Sequence, residues 1–400
     1  MKMIIAGGGV GGLAIGRQLA SAGHEVEVYE QADGLRTEGA ALIVWPNGTG
    51  VLRDLGVIAE DMGSRMVAMD TYLQDGSQVL RLELDKIEKH FGHPTVVVPR
   101  ARLLQELALG LPAGALRFGK RCVGVTQPEP GTDGPVVVRF ADGSTAEGDA
   151  LIAADGYGSA IRRELVDTAP AATSGLASWH GMIKRSVAGV PEDRMLAFYG
   201  DGGFCAMFSA GEGQLHYAFC TPWQKGDVVP RTASGPSVRS VDGEPLSSLA
   251  GLRAMFGHWT GPVPHLLDAL ADEDIKPYAH MFHKVPQTWT QGRVTMIGDA
   301  VHAVSPTLGQ GVNQTLEDVW VLAGALGEHA DPAVAFRAYE DARRKRVTGS
   351  TKMALKVEHR PAPPKILRFA PGLIPFTRMN RWWIKMFSSY LNSPENRRTS

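Results

Sequence analysis

The sequence predicts an α/β fold: a parallel-sheet nucleotide-binding domain, an inserted mostly β layer and a C-terminal helical segment. Three observations carry this prediction. A short apolar strand at the N-terminus runs straight into a glycine-rich turn and a helical pattern. A second apolar strand, before residue 299, ends in an acid followed by another glycine-rich turn. Between them, about residues 176–282 read as several strands separated by Gly-rich turns such as Gly200-Asp201-Gly202-Gly203 and Gly211-Glu212-Gly213.

In chain order, the strand over 1–6 enters Gly7-Gly8-Gly9-Val10-Gly11-Gly12, a G-x-G-x-x-G match at Gly7, Gly9 and Gly12, and helical periodicity follows over 13–22. The first glycine permits the tight turn, the second lets a pyrophosphate approach the backbone, and the third lets helix pack on strand. The helix N-terminus then offers free N–H groups to the anion. A second strand over 25–29 ends at Glu30, close to the separation of about 20 residues expected for an acid that grips a ribose hydroxyl. A lone glycine fingerprint would fit a structural turn equally well. Strand, turn, helix, second strand and terminal acid together favour a dinucleotide site.

Residues 66–98 alternate strand-like runs around the turn Gln74-Asp75-Gly76-Ser77. The run Asp149-Ala150-Leu151-Ile152-Ala153-Ala154-Asp155-Gly156 is an apolar strand ending in an acid, and Ser159-Ala160-Ile161-Arg162 follows it. Residues 224–246, rich in Pro, Ser, Gly and charge, are expected to form a mobile loop. The run from Gly292 to Ile297 leads into Gly298-Asp299, then Ser305-Pro306 and Gly309-Gln310-Gly311-Val312-Asn313. An acid at a strand end can accept hydrogen bonds from sugar-like hydroxyls, and the following glycines let backbone approach a flat ring. Helices are expected over 314–329 and 332–348, with Arg343, Arg344, Lys345 and Arg346 read as a solvated face. From Pro361 the chain turns basic, aromatic and proline-rich. A membrane-surface helix is one reading of it, and a helix packed across both domains is the preferred one.

The Gly-rich N-terminal turn, the Asp155-Gly156 run and the Gly298-Asp299 run, in this order, resemble the class A FAD-dependent aromatic hydroxylases, typified by 4-hydroxybenzoate and salicylate hydroxylases. Residues 39–48, Gly-Ala-Ala-Leu-Ile-Val-Trp-Pro-Asn-Gly, are most similar to its smaller, urate-hydroxylase-like members. The resemblance covers about residues 1–350. It implies FAD bound by Gly7, Gly9, Gly11, Gly12 and Glu30, with Asp155 and Arg162 serving both FAD and NAD(P)H. It implies that Asp299 contacts the ribityl chain and that Pro306, Gly309, Gln310, Gly311 and Asn313 line the isoalloxazine ring. Arg100 matches the arginine of the family's Arg-x-x-Leu helix start, Arg36 stands where some relatives contact cofactor, and Cys122 falls where a strand offers its backbone to the adenine.

The same resemblance implies a FAD-binding domain over 1–65, 97–175 and 283–350, a substrate-binding β-sheet domain over 66–96 and 176–282, and a C-terminal helical segment over 351–400. It implies hydride transfer from NADPH or NADH, reaction with O2 and hydroxylation of an aromatic or polycyclic small molecule by a flavin C4a-hydroperoxide. The chain has one strand-linked glycine fingerprint and no redox cysteine pair near it, so a separate nicotinamide domain is not expected. For the substrate, Trp45, Trp179, Phe204, Met207 and Tyr217 are expected to face the ring, and His216 is a candidate base near a phenol. Phe204 and His216 stand where urate hydroxylases carry polar Arg and Tyr, which argues against urate.

The formal net charge of −1 gives no electrostatic case for nucleic acid. Three cysteines, Cys122, Cys205 and Cys220, fit neither a disulfide framework nor a zinc site, and the histidines show no ligand spacing, so no metal is expected. A reducing cytoplasm, no stable membrane insertion and a monomer or homodimer are the corresponding expectations. Other chemistries on the same fold, epoxidation, Baeyer–Villiger insertion or alkene reduction, stay open. Halogenation is disfavoured by the lack of a Trp-x-Trp-x-Ile-Pro run. A non-catalytic flavin-binding interaction module is the remaining alternative.

Overall fold

The computed structural model describes residues 1–36, 40–129, 132–230, 247–358, 375–394 and 396. Most of the loop expected at 224–246, and Pro361, Pro363, Pro364 and Pro371 of the basic tail, lie outside the described residues. The core of the nucleotide-binding part is a six-stranded sheet in the order Thr290–Gln291, Val294–Met296, Ala150–Ala153, Lys2–Ala6, Glu25–Tyr29, Leu116–Arg117. Its pairings are parallel except at the Thr290–Gln291 edge. Parallel strands are buried on both faces, which explains why Met3, Ile4, Ile5, Leu151 and Ile152 read as continuous apolar runs. Thus the three sequence runs that end in a turn, at Gly7, Asp155 and Gly298, lie on adjacent strands and open at the same edge.

A second, seven-stranded sheet runs Lys276–Phe282, Ala172–Ile183, Gln214–Pro222, Gly203–Gly211, Arg194–Gly200, Ala68–Leu73, Gln78–Glu83. It is antiparallel apart from the pair Arg194–Gly200 with Ala68–Leu73. Its Ala172–Ile183 strand begins ahead of residue 176, where the sequence pattern places the start of the β layer. One face packs toward the nucleotide-binding core through Met69, Met182, Met195 and Phe208. The other packs under the helices Ser248–Phe256 and Val263–Ala269, around Trp179, Phe219, Phe256 and Trp259.

Those two helices lie within a stretch read from sequence as strands. A third unanticipated helix, Leu84–Phe91, follows the Gln78–Glu83 strand; it buries Leu84, Ile87 and Phe91 on one stripe and ends at Gly92 with φ 73°. The long helix Pro332–Glu358 extends past the expected end at 348. The reading of Arg343 as part of a solvated face is overturned. Arg343 is fully buried and pairs with Glu317 and Asp318 of helix Gly311–Glu328, because position 343 points into the seam between the two helices. The helix Phe376–Phe387 packs on strand Gln78–Glu83, helix Leu84–Phe91 and helix Pro332–Glu358. Among the described residues no helix is long and apolar enough to cross a membrane.

Candidate active site

The N-terminal turn divides its glycines by function. A Cβ at Gly7, where φ is +106°, would stand 2.4 Å from the Ala154 carbonyl oxygen, and one at Gly12 would stand 1.8 Å from the Gly7 oxygen. At Gly11 the neighbour is Thr315, at 2.8 Å. These three are glycine because the chain itself fills the space. Gly9, the N-cap of helix Val10–Ser21, has nothing within 4 Å of a Cβ position. It faces open space at the N-terminus of a helix, where unpaired amides favour an anion. Glu30 closes the turn, its carboxylate accepting from Gly8 N–H at 2.7 Å and Ala32 N–H at 2.9 Å. Each oxygen keeps a lone pair for a ribose hydroxyl.

On the neighbouring strand, Asp155 accepts from Ala160 N–H at 2.9 Å through one oxygen, while the other is buried with no partner among the described residues. Burial pushes its carboxyl up, against hydrogen bonds from Ser159 and Ala160. Cys122 starts the strand Cys122–Thr126 close enough to Asp155 to feel its charge. Its thiol is pushed up to about 12, chiefly by burial, and is inert. Arg162 is buried and donates to the carbonyls of Ala300 and Val301 at 3.1 Å each and to Lys284 at 3.1 Å. Its guanidinium therefore braces the Asp299 turn from behind. Arg36 is exposed, beside residues 37–39, which lie outside the described set.

The third turn is built around Gly298, at φ 60°. Gly298 N–H donates to Asp318 at 2.9 Å, and the same Asp318 oxygen binds His302 Nε2 at 2.6 Å. Asp299, the first residue of helix Asp299–His302, has no hydrogen bond to its carboxylate among the described residues. Burial pushes it up, while His302, Arg100 and His283 pull it down. The run that follows is tied across the molecule by Asn313. Its side chain donates to Ile43 O at 3.1 Å and Gly309 O at 2.7 Å, and accepts from Trp45 N–H at 2.8 Å. With all three of those bonds made inside the chain, Asn313 shapes the turn and offers a ligand only its backbone. Trp45 lies beside Gly309, its buried indole N–H without a partner among the described residues. Pro306 is exposed, and Gly309, Gln310 and Gly311 are partly exposed along the turn.

The seven-stranded sheet supplies the opposite wall, and its register decides which residues can serve. Phe204 pairs with Cys220, Cys220 with Ser178 and Ser178 with Tyr278; the next row holds Ala206, Ala218, His180 and Lys276. Side chains alternate along a strand, so these residues share the face turned to the nucleotide-binding core. Trp179, Met207 and Tyr217 are one residue out of step and point the other way. All three are fully buried under the helices, with Trp179 Nε1 donating to Thr221 at 2.9 Å and Tyr217 OH to the Asp274 carbonyl at 2.8 Å. Their assignment to the substrate wall is corrected on this ground.

Phe204 does share the core-facing side, stacked on Tyr199 at 5.3 Å. His216 shares it too, but its Nδ1 takes the Ala41 N–H at 3.4 Å, and burial, with His180 beside it, drives its pKa down to about 3. So weak a base does not suit proton abstraction near neutral pH, and the base role falls away from His216. Arg100, at the start of helix Arg100–Leu109, and Tyr278 from the sheet lie in electrostatic reach of Asp299, and the His180 ring stands 6.0 Å from that of Tyr278. Arg100 acts electrostatically on all three, pulling His180 down to about 4 behind the larger effect of burial. His180, Tyr199 and Tyr278 were missed from the sequence; strand parity would have picked them out once one residue's face was known.

These features fit a flavin dinucleotide on observations of this chain alone. Open space at Gly9, two orphaned polar atoms at Asp155 and Trp45, and an acid at each strand end lie along one edge of the sheet.

The model of the FAD binding domain family matches residues 1–230 and 267–354. Similar proteins include the FAD-dependent urate hydroxylase of Klebsiella pneumoniae, 32% identical over 361 residues and covering 87% of each chain. The 3-amino-4-hydroxybenzoate 2-monooxygenase of Streptomyces platensis is 33% identical over 356 residues, covering 86% of this chain and 85% of its own. Among solved structures, Klebsiella pneumoniae HpxO complexed with FAD and uric acid superposes with a TM-score of 0.78 at 27% identity, covering 97% of this chain and 92% of that one. With matches across most of its length to the family model and to these relatives, the chain belongs to the FAD binding domain family of flavin-dependent aromatic monooxygenases.

Proposed function

We propose that this flavin monooxygenase uses NADH or NADPH and O2 to hydroxylate a small aromatic molecule that carries a ring hydroxyl or its tautomeric equivalent. The gathering of Arg100, His180, Tyr278 and Asp299 between the nucleotide turns and one face of the seven-stranded sheet carries this reading. FAD supplies hydride acceptance and oxygen activation when bound; the chain supplies position, polarity and exclusion of water. In this reading the Gly9 amide end of the first helix and Glu30 hold the nucleotide half, and Asp155 lies beside them. Asp299 accepts from the ribityl chain, and the backbone of residues 306–313 lies along the ring. Residues 1–65, 97–175 and 283–350 form the cofactor-binding part, the two β segments the substrate-binding part, and the protein works in the cytoplasm.

The activities of the relatives, on urate and on 3-amino-4-hydroxybenzoate, support a substrate with an ionisable ring oxygen. Phe204, Tyr199, Tyr278 and His180 supply aromatic surface with a few polar atoms, the usual make-up of a small-molecule site. The test is a screen of phenols, aminohydroxybenzoates and urate for stimulation of NAD(P)H oxidation by the FAD-loaded enzyme, with product mass. A product heavier by one oxygen atom is expected. Stimulated oxidation that yields only hydrogen peroxide with every compound would sink the hydroxylase reading.

A further inference from the structure

The core-facing side of the seven-stranded sheet holds a chain of three buried polar side chains that the cofactor site does not use. Ser178 Oγ lies 2.7 Å from His280 Nε2, and His280 Nδ1 lies 2.5 Å from Glu358 Oε1. Ser174 Oγ donates to the same Glu358 oxygen at 2.9 Å. Ser178 is 7% exposed, His280 1% and Glu358 3%. Glu358, in the long helix Pro332–Glu358, is buried, which disfavours a charge on its carboxyl. Its carboxyl is nonetheless held down, by His280, Ser174 and Ser305, against that burial. A carboxylate buried at such cost is weak as a stabilising device, since a buried ion pair is often no better than an apolar contact.

The direction of the chain is set by its hydrogen bonds. With Nδ1–H donated to Glu358, the Nε2 lone pair of His280 faces the Ser178 hydroxyl. Ser178 in turn lies in the sheet row between Cys220 and Tyr278, the row that includes Phe204, and Tyr278 is 40% exposed on that face. We propose that Ser178, His280 and Glu358 form a proton relay that takes the ring-hydroxyl proton of the aromatic substrate. The step balances as a double proton transfer. The substrate O–H bond breaks as a new O–H bond forms on Ser178 Oγ, while the original Ser178 proton passes to His280 Nε2. Substrate is left as the more electron-rich oxyanion, and the imidazolium is held by Glu358. Ser178 is the contacting group; His280 and Glu358 are positioning residues.

The relay rests on the proposed substrate class, and the experiment separates the two. 4-Nitrophenol is titrated into FAD-loaded wild-type enzyme and into Ser178→Ala, His280→Gln and Glu358→Gln across pH 5–9. The ionised fraction is read from the visible phenolate band in difference spectra. The groups that face His280 and titrate or carry charge, Glu358 from the long helix, His180 and Tyr278 from the sheet, and Cys220 through Glu358, are unchanged within each comparison except at the substituted position. Wild type is expected to lower the apparent pKa of bound nitrophenol. Each variant raises it again, cutting the ratio of ionised to neutral nitrophenol at a given pH roughly tenfold, which corresponds to one pKa unit. Thermal unfolding is recorded in parallel, because a purely structural strut would lower stability while leaving the bound spectrum unmoved. Tight binding with the same ionised fraction in all four proteins would overturn the relay and leave the substrate class standing. Failure of wild type to bind the phenol at all would overturn both.

Discussion

Replacing Arg343 by Met tests the buried charge cluster that holds the third cofactor turn in place. Arg343 is fully buried and donates five hydrogen bonds: to Asp318 at 2.7 Å, Glu317 at 2.9 Å, Ser389 at 3.2 Å, and Gln314 O and Oε1 at 3.0 and 2.8 Å. Asp318 passes the effect on, since its other oxygen receives Gly298 N–H and His302. Methionine fills similar length but leaves two buried carboxylates without their cation. Breaking a buried pair in this way costs about 3–5 kcal/mol, a large share of the roughly 5–15 kcal/mol typical of a folded domain. The pH dependence has a definite sign. Burial would raise Asp318, but His302 and Arg343 outweigh it and its folded pKa lies below the ordinary value. Its contribution is therefore present above the unfolded carboxylate pKa of about 3.9 and is lost as pH falls through the folded value. Urea unfolding followed by tryptophan fluorescence at pH 7.5 should show the full loss in Arg343→Met, and the gap to wild type should narrow in acid, where neutral carboxyls need no cation. A loss under about 1 kcal/mol at pH 7.5 would place the cluster in the range of solvated pairs and refute the reasoning.

Gly9→Ala should fold normally and bind FAD more weakly, because its methyl group meets only the space a pyrophosphate would take; Gly12→Ala should be destabilised before any ligand is added, since its Cβ would overlap the Gly7 carbonyl. Equilibrium dialysis with FAD and thermal melts of the apoproteins separate the two, and equal loss of fold in both would remove the distinction. Asp299→Ala should keep the fold and lose about 10- to 100-fold in FAD affinity, the equivalent of one charge-assisted hydrogen bond of about 1.5–3 kcal/mol; flavin-fluorescence titration checks this, and unchanged affinity would detach Asp299 from the cofactor. His216→Leu should leave the shape of the activity profile between pH 6 and 9 unaltered, because a group titrating near 3 contributes no limb there. A lost basic or acidic limb in that variant would restore His216 as the proton acceptor.

The parallel sheet and its three turns were legible because each is a local pattern: an apolar run, then glycines or an acid at fixed spacing. Strand Glu25–Tyr29 is observed with the bounds expected of it, and the first helix, Val10–Ser21, differs by a few residues. The second sheet hid its faces. It is covered on both sides, so Phe204, Cys205, Ala206, Met207 and Phe208 are all apolar and alternation gives no sign of which residues turn toward the cofactor. A shift of one residue exchanges the two faces, and that is how Trp179, Met207 and Tyr217 were misplaced. Arg343 was hidden for a different reason. Within Arg343-Arg344-Lys345-Arg346 nothing local marks one cation as buried; its partners, Glu317 and Asp318, lie on another helix. Ser178, His280 and Glu358 are likewise brought together only by the sheet register and a residue of the long helix Pro332–Glu358.

The account rests most heavily on flavin-dependent insertion of oxygen into an aromatic ring, and isotopic labelling tests it most directly. Purified enzyme loaded with FAD is supplied with NAD(P)H, 18O2 and the best-stimulating aromatic from the screen, and the product is analysed by mass spectrometry. One 18O atom in the ring product, with NAD(P)H consumed in equal amount, is the predicted result. A product without label, or one that is reduced and not oxygenated, would contradict the account.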